Sequence, residues 1–325
     1  MYLVMFETHG NQRYVFASPR LKENIGASYL LTLLEPWVRS TSQHERIPIL
    51  DVSVSSGKVI VAVDSEKDAH SLVNAVTRKI LETAPGVDVT GVFTPMISVH
   101  VTKEDLENVH AASARHALMR PPTSARFCST PFLEPGRDTL LPAVPSRVGF
   151  PSGEVYSLPG TVARAQASKA REYLLGLAST HPYLSERSEE LLPDPDALEK
   201  ALDSLSKVAV IHLDGNGVGA MVRGLADRLS SIPVSIFQGQ IKCGARDADV
   251  LRLSLLKLNK RLDNVMKDAF CDAWAAVADL AIQEGIDVVP VVPVILGGDD
   301  ATVINKKLGE QLDIKGGADA SKLSN

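Results

Sequence analysis

Twice along this chain a strand-length apolar run is followed by a helical stripe and then by two further apolar runs set apart by a tight turn. That order is the signature of a split β-α-β sheet, in which the returning hairpin pairs beside the first strand. In the first copy Tyr2 to Phe6 forms the opening run, and Ser18 with Pro19 supplies an N-cap and a first-turn proline. Leu21, Ile25, Tyr29, Leu33 and Trp37 then recur every fourth residue, which predicts one helix ending near Ser40. Leu50, Val52 and Val54 alternate with Asp51 and Ser53, Ser55-Ser56-Gly57 makes a turn, and Val59, Val61 and Val63 return as the second arm of a hairpin. Ala69, Leu72, Val76 and Ile80 mark a second helix that closes near Pro85-Gly86, and the apolar residues from Val87 to Val101 read as a last strand. The complete order, β-α-β-β-α-β, predicts an α+β, ferredoxin-like unit with two helices on one face of an antiparallel sheet.

The second copy starts at Val208-Ala-Val-Ile-His-Leu, a strand that runs into Asp214-Gly215-Asn216-Gly217-Val218-Gly219. A helix from about Val218 and a long one from about Val250 to Gln283 follow, the latter striped by Leu255, Leu258, Leu262, Val265, Ala269, Ala273, Val277 and Leu280. Val288 to Leu296 and Thr302 to Ile304 then flank Gly297-Gly298-Asp299-Asp300. Prolines crowd between Pro121 and Pro159, where regular structure should be sparse. Ser168 to Leu177 looks helical, as does Pro195 to Leu205, and Ser185 to Asp196 reads as acidic and solvated. The chain thus divides into a first unit over 1–105, a Pro-rich and helical middle over 106–205, and a second unit over 206–325.

Composition narrows the function classes. At 325 residues there is room for about two domains. With 45% apolar and 22% charged residues, the whole is neither disordered nor fibrous. A net charge of -5 argues against a stand-alone nucleic-acid binder, which needs a basic surface to displace counterions. Cys128, Cys243 and Cys271 stand too far apart for a paired C-x-x-C metal knuckle, and three cysteines read as reduced core or surface thiols in place of a disulfide framework. The apolar run Val288 to Leu296 is too short to span a bilayer. Met1 to Phe6 lacks a basic start and meets Glu7 before a signal core can form, so a cytoplasmic protein is expected.

The chemistry concentrates in the second copy. Asp214 ends a strand, and Asp299 with Asp300 tips a hairpin that would pair beside it, so three carboxylates converge. Carboxylate oxygens are hard donors suited to Mg²⁺ or Mn²⁺, which keep positions for water and substrate phosphate. Gly297 and Gly298 let backbone approach a nucleotide, and Gly215, Gly217 and Gly219 offer backbone N–H groups to a phosphate. A polar hairpin tip is the bland alternative for Asp299 and Asp300, and a tight strand-to-helix turn that for the three glycines. Gly215-x-Gly217-x-x-Ala220 also satisfies a dinucleotide-binding pattern, which would make the protein an oxidoreductase. Against that, Pro233 to Phe237 is followed by Gln238 where an acidic residue is required, and Asp299 and Asp300 are left without a role.

Val208-Ala-Val-Ile-His-Leu-Asp214-Gly-Asn-Gly-Val-Gly219 followed by Val294-Ile-Leu-Gly-Gly-Asp-Asp300 resembles the second palm domain of the large polymerase/cyclase subunit of type III CRISPR effectors and its stand-alone bacterial relatives. Asn11-Gln-Arg-Tyr-Val-Phe16 and Leu21-Lys-Glu-Asn-Ile-Gly-Ala-Ser-Tyr-Leu-Leu31 are similar to the start of the first palm in the same proteins. The resemblance implies two ferredoxin-like palms, the second a nucleotidyltransferase making cyclic nucleotide messengers from ATP in antiviral defence. By motif match Asp214, Asp299 and Asp300 would ligate Mg²⁺ or Mn²⁺, Asp299 and Asp300 would be catalytic, and Gly297 and Gly298 would line the nucleotide. The first palm, with Ser55-Ser56-Gly57 at its turn, should be non-catalytic. Relatives often carry a cysteine zinc site between the palms, but only Cys128 falls in that region, so no zinc is expected. Implied partners are ATP, a second copy or other defence-system subunits, and RNA only within an effector complex, with no membrane. The stretch after Asp300 is shorter than that after Ser56 and shows no apolar strand, so the second palm is expected to be C-terminally incomplete. A catalytically inactive nucleotide-binding or scaffold palm is the competing reading.

Overall fold

The computed structural model describes residues 1–121, 123–127, 130–144, 155–187, 208–214, 218–232, 236, 249–283, 291–297 and 300–306. Strands β1 (Tyr2–His9), β2 (Leu50–Ser55), β3 (Lys58–Val63) and β4 (Asp88–Pro95) make one antiparallel sheet in the order β2-β3-β1-β4. Helices α1 (Asn11–Val15), α2 (Leu21–Thr32) and α3 (Leu34–Glu45) connect β1 to β2, and α4 (Glu66–Thr83) connects β3 to β4. On one face Val4, Phe6, Val59, Val61 and Val63 meet Leu30, Leu34, Trp37, Leu72, Val76 and Ile80 from α2, α3 and α4. α4 is started by the Ser65 side chain, which accepts from the Asp68 amide.

The sheet is also covered on its other face. Leu3, Met5, Val52, Ile60 and Ala62 pack under Val101, Leu106 and Val109, the last two in α5 (Lys103–Met119). β4 therefore stops at Pro95, and the apolar stretch to Val101 is the approach to a helix and not an extension of the strand. The Asp105 carboxylate makes this turn: it accepts from the amides of Ile97 and Thr102, and the Thr102 side chain accepts from the Asp105 amide. A strand reading Val-Ile-Val-Ala-Val, apolar at every position, suits such double cover.

The long first helix expected from the sequence is two. It breaks at Leu33, where Pro36 in the first turn of α3 has no N–H to offer the Thr32 carbonyl.

Both margins of this sheet are occupied. Arg120, just past α5, and Arg126 in a single 3₁₀ turn donate to the carbonyls of Val89 and Val87, and both contact Asp88. On the far side, Arg252 donates to the Asp51 carbonyl of β2 at 3.0 Å, and Asn259 donates to Ser53 Oγ at 2.9 Å. Those two residues belong to the longest helix, introduced below.

The Pro-rich middle holds little regular structure among the described residues: a two-residue pair of strands, β5 (Ala143–Val144) and β6 (Tyr156–Ser157), leading into α6 (Leu158–Ala178). α6 lies against α2 at very close range. A Cβ built on Gly26 would stand 1.8 Å from the Ala163 carbonyl oxygen. Gly26→Ala should therefore lower stability by about 1–3 kcal/mol, although alanine is the better helix former, because backbone and not a movable side chain blocks the methyl. A urea denaturation midpoint at or above the parent's contradicts this. Beside the crossing, Glu23 on α2 is 2% exposed and pairs with Arg164 of α6 at 3.3 Å, with Ser18 donating to its other oxygen. Asp138, also buried, accepts from the Ser157 amide and hydroxyl.

The second half contributes β7 (Val208–Asp214), α7 (Val218–Arg223), α8 (Leu225–Ser230), α9 (Val250–Gln283), β8 (Val291–Gly297) and β9 (Asp300–Lys306). At 34 residues α9 is about 50 Å long. It starts on β2, and further along Phe270, Cys271, Trp274 and Ala278 pack with Leu174, Ala178 and Leu184. Burial pushes the Cys271 thiol up, as fits a packing residue. β7, β9 and β8 form a second antiparallel sheet in that order. The helix expected over Pro195 to Leu205, and most of the acidic stretch before it, lie outside the described residues, as do Cys128 and Cys243. No described helix is long and apolar enough to cross a membrane.

Candidate active site

The two hairpins are built alike. β2 and β3 are joined by two residues, with Ser55 opposite Lys58. β8 and β9 are likewise joined by two, with Gly297 opposite Asp300. Each hairpin also carries an irregularity at the same distance from its turn, between Asp51 and Ser53 in one and between Pro293 and Ile295 in the other. In both sheets the second arm of the hairpin then pairs with the opening strand of the unit, β3 with β1 and β9 with β7. The register therefore equates Ser55 with Gly297, Lys58 with Asp300, and Glu7 with Asp214.

In the C-terminal sheet Asp214, the last residue of β7, is directly opposite Asp300, the first of β9, which is in turn opposite Gly297. Directly opposed positions in antiparallel strands share a face, with Cβ atoms generally about 4.5–5.5 Å apart. β9 is the central strand, and two carboxylate-bearing positions oppose each other where β7 ends and β9 begins. Hard oxygen donors at such positions suit Mg²⁺ or Mn²⁺. Gly219 falls in α7. Gly215, Gly217, Gly298 and Asp299 lie outside the described residues. A dinucleotide-binding site would need β7 to run parallel to the strand after its helix; among the described residues its neighbour is antiparallel β9.

At the equivalent place in the N-terminal sheet the chemistry differs. Lys58 Nζ is 2.7 Å from Glu7 Oε1, and Ser113 of α5 donates to Glu7 Oε2 at 2.8 Å. Burial alone would raise the Glu7 carboxyl, but the Lys58 ammonium and the Ser113 hydroxyl outweigh it and hold the group below the usual carboxylate range. His110 lies in the same field, and burial together with Lys58 lowers its imidazole. His9 Nε2 is 2.9 Å from Thr90 Oγ1. Gly57 closes the turn at φ +70°, where a Cβ would stand 2.7 Å from Thr8 Oγ1. Among the described residues no group of three or more His, Cys, Asp or Glu side chains is placed to hold a metal. Reading the sequence for carboxylates overlooked Lys58; its signal was its offset, first after the turn, as Asp300 is first after Gly298-Asp299.

The fold is an α+β one organised on a four-stranded antiparallel sheet. Among solved structures, a Csm1-Csm4 cassette in complex with cA4 aligns over 94% of this chain and 45% of the matched chain, at 12% identity and a TM-score of 0.50. A Csm1-Csm4 subcomplex in the type III-A CRISPR-Csm interference complex aligns over the same shares at 11% identity and a TM-score of 0.49. A Csm1-Csm4 cassette in complex with one ATP does so at 13% and 0.49. At such identity the likeness is one of fold, and this chain spans less than half the length of the chains it matches. No family model and no curated protein matches the sequence.

Proposed function

We propose that the chain is a palm-type nucleotidyltransferase that joins or cyclises ATP with Mg²⁺ or Mn²⁺, within a type III CRISPR-like defence system. The reading rests on one observation, the register that sets Asp214 opposite Asp300 and Asp300 opposite Gly297. Asp214, Asp299 and Asp300 hold the divalent ion, which when bound neutralises triphosphate charge and acidifies a ribose hydroxyl. Gly297 and Gly298 would give the nucleotide a surface without Cβ atoms, and Gly215, Gly217 and Gly219, between Asp214 and Ala220 in sequence, would offer backbone amides to its phosphates. A ribose hydroxyl oxygen attacks the α-phosphorus, the bond to pyrophosphate breaks in line, and the hydroxyl proton passes to solvent. The three-stranded sheet that carries these residues acts as a second palm, and the N-terminal sheet as a first, non-catalytic one. The neighbour in complex with cA4 supports a cyclic adenylate as product, and its Csm1-Csm4 pairing supports assembly with a further defence-system subunit.

Incubation with ATP and Mn²⁺ followed by mass spectrometry tests this. A new adenylate species should form and should vanish in Asp299→Ala/Asp300→Ala with the thermal midpoint unchanged. The same species from the folded double variant overturns the proposal.

A further inference from the structure

Lys58 and Asp300 hold the same register position in two hairpins that share turn length, pairing partner and strand irregularity. Their cross-strand partners, Glu7 and Asp214, are both carboxylates. One sheet thus opposes two acids, and the other opposes an acid to an amine. Two opposed carboxylates repel unless a cation lies between them, whereas a carboxylate and an ammonium at 2.7 Å are already neutral.

We propose that Lys58 fills, in the N-terminal sheet, the place that a divalent cation takes between Asp214 and Asp300, so that the first hairpin is a metal-independent copy neutralised by its own side chain. This rests on the reading of Asp214 and Asp300 as metal ligands. Both Glu7 oxygens are spoken for, Oε1 by Lys58 and Oε2 by Ser113, so neither is free to coordinate an ion without breaking a bond. The Lys58 side chain is 30% exposed and the Glu7 side chain 22%, so a bare carboxylate there would be only partly solvated, and Lys58 supplies the counter-charge it requires. Lys58 is in this sense a specificity-determining residue: it decides which of two equivalent hairpins takes metal.

The experiment counts Mn²⁺ by the loss of its free electron paramagnetic resonance signal, with no turnover involved. The parent is the full chain carrying Asp214→Asn and Asp300→Asn. With Lys58 present it should bind no Mn²⁺ tighter than about 1 mM. Adding Lys58→Asp should create one site per chain below that constant, and a further Glu7→Gln should remove it. Should Lys58→Asp not fold, Lys58→Glu offers a carboxylate at the same position on a longer stem and should bring the same gain. The inference is overturned by Mn²⁺ bound to the Lys58-containing parent and released by Glu7→Gln, or by a folded Lys58→Asp or Lys58→Glu chain that gains none. Mn²⁺ counted on the unmodified chain tests the catalytic reading separately: no ion there defeats that reading whatever the Lys58 variants do.

Discussion

Asp214→Asn should lower metal-dependent ATP conversion by about 10²-fold or more, the scale seen when a group that stabilises developing charge is removed from an active site. Asparagine keeps the shape of aspartate and its place opposite Asp300, but removes the charge that draws a divalent ion. The expected signature is thus loss of turnover with an unchanged far-UV spectrum and thermal midpoint. Raising Mn²⁺ should restore part of the rate, since Asp299 and Asp300 remain. Leu213→Ala, one residue earlier and on the opposite face of β7, separates the alternatives, because it perturbs the strand without touching the acidic positions. Full activity in Asp214→Asn would mean that the paired carboxylates have no part in the chemistry.

The second large effect concerns stability. Arg164→Met should cost about 3–5 kcal/mol, the range for breaking a buried ion pair from one side. Burial already raises the Glu23 carboxyl, and Ser18 and Arg164 work against that while Asp138 adds to it. Without the guanidinium the carboxyl rises further and takes up a proton on folding. A group whose folded pKa is raised gives its stabilisation below the unfolded value and loses it as pH rises through the folded one. The deficit of the variant should therefore be greatest at neutral pH and shrink as pH falls toward the ordinary glutamate range. Glu23→Gln/Arg164→Met should recover most of the loss, since it removes both charges. Denaturant midpoints at neutral and acidic pH check this, and a deficit independent of pH would show that Arg164 contributes by packing over the Tyr156 ring, 5.8 Å away, and not by pairing.

Much of the N-terminal sheet was legible because local signals agreed with one another. The Leu50-to-Val63 hairpin had alternation on both sides of a Ser-Ser-Gly turn, and α4 had a regular Ala69, Leu72, Val76, Ile80 stripe closed by Pro85-Gly86. α9 was readable from Val250 to Gln283 because its stripe is long. The failures came where a non-local term decided. Pro36 divided a helix whose apolar spacing ran on unbroken. The Val87-to-Val101 run looked like a strand because apolar residues mark both a strand and the packed approach to α5, and only the Asp105 carboxylate distinguishes them. Double cover of the sheet is written in β3 as Ile60 and Ala62 between the valines, which makes every position of that run apolar and not every second one. For the candidate site, the strand-ending Asp214 and the Gly-Gly-Asp-Asp turn could be picked out by residue type, but which carboxylate opposes which is a matter of register. The counterpart pair Glu7–Lys58 had no acidic signature and emerged only when two hairpins were compared position by position.

The guanidinium groups along the outer strands of the N-terminal sheet bear on how copies of this chain can associate. Arg120 occupies a carbonyl of β4, Arg126 the carbonyl just before that strand, and Arg252 one of β2, so a strand from another molecule would have to displace a guanidinium to pair along either rim at those points. In the other sheet β7 and β8 each have β9 as their sole strand neighbour among the described residues. One of those two rims, β7, ends in Asp214. A molecule docking edge to edge there would lay its backbone beside the acidic positions, so oligomerisation and access to that corner of the protein compete for the same ground.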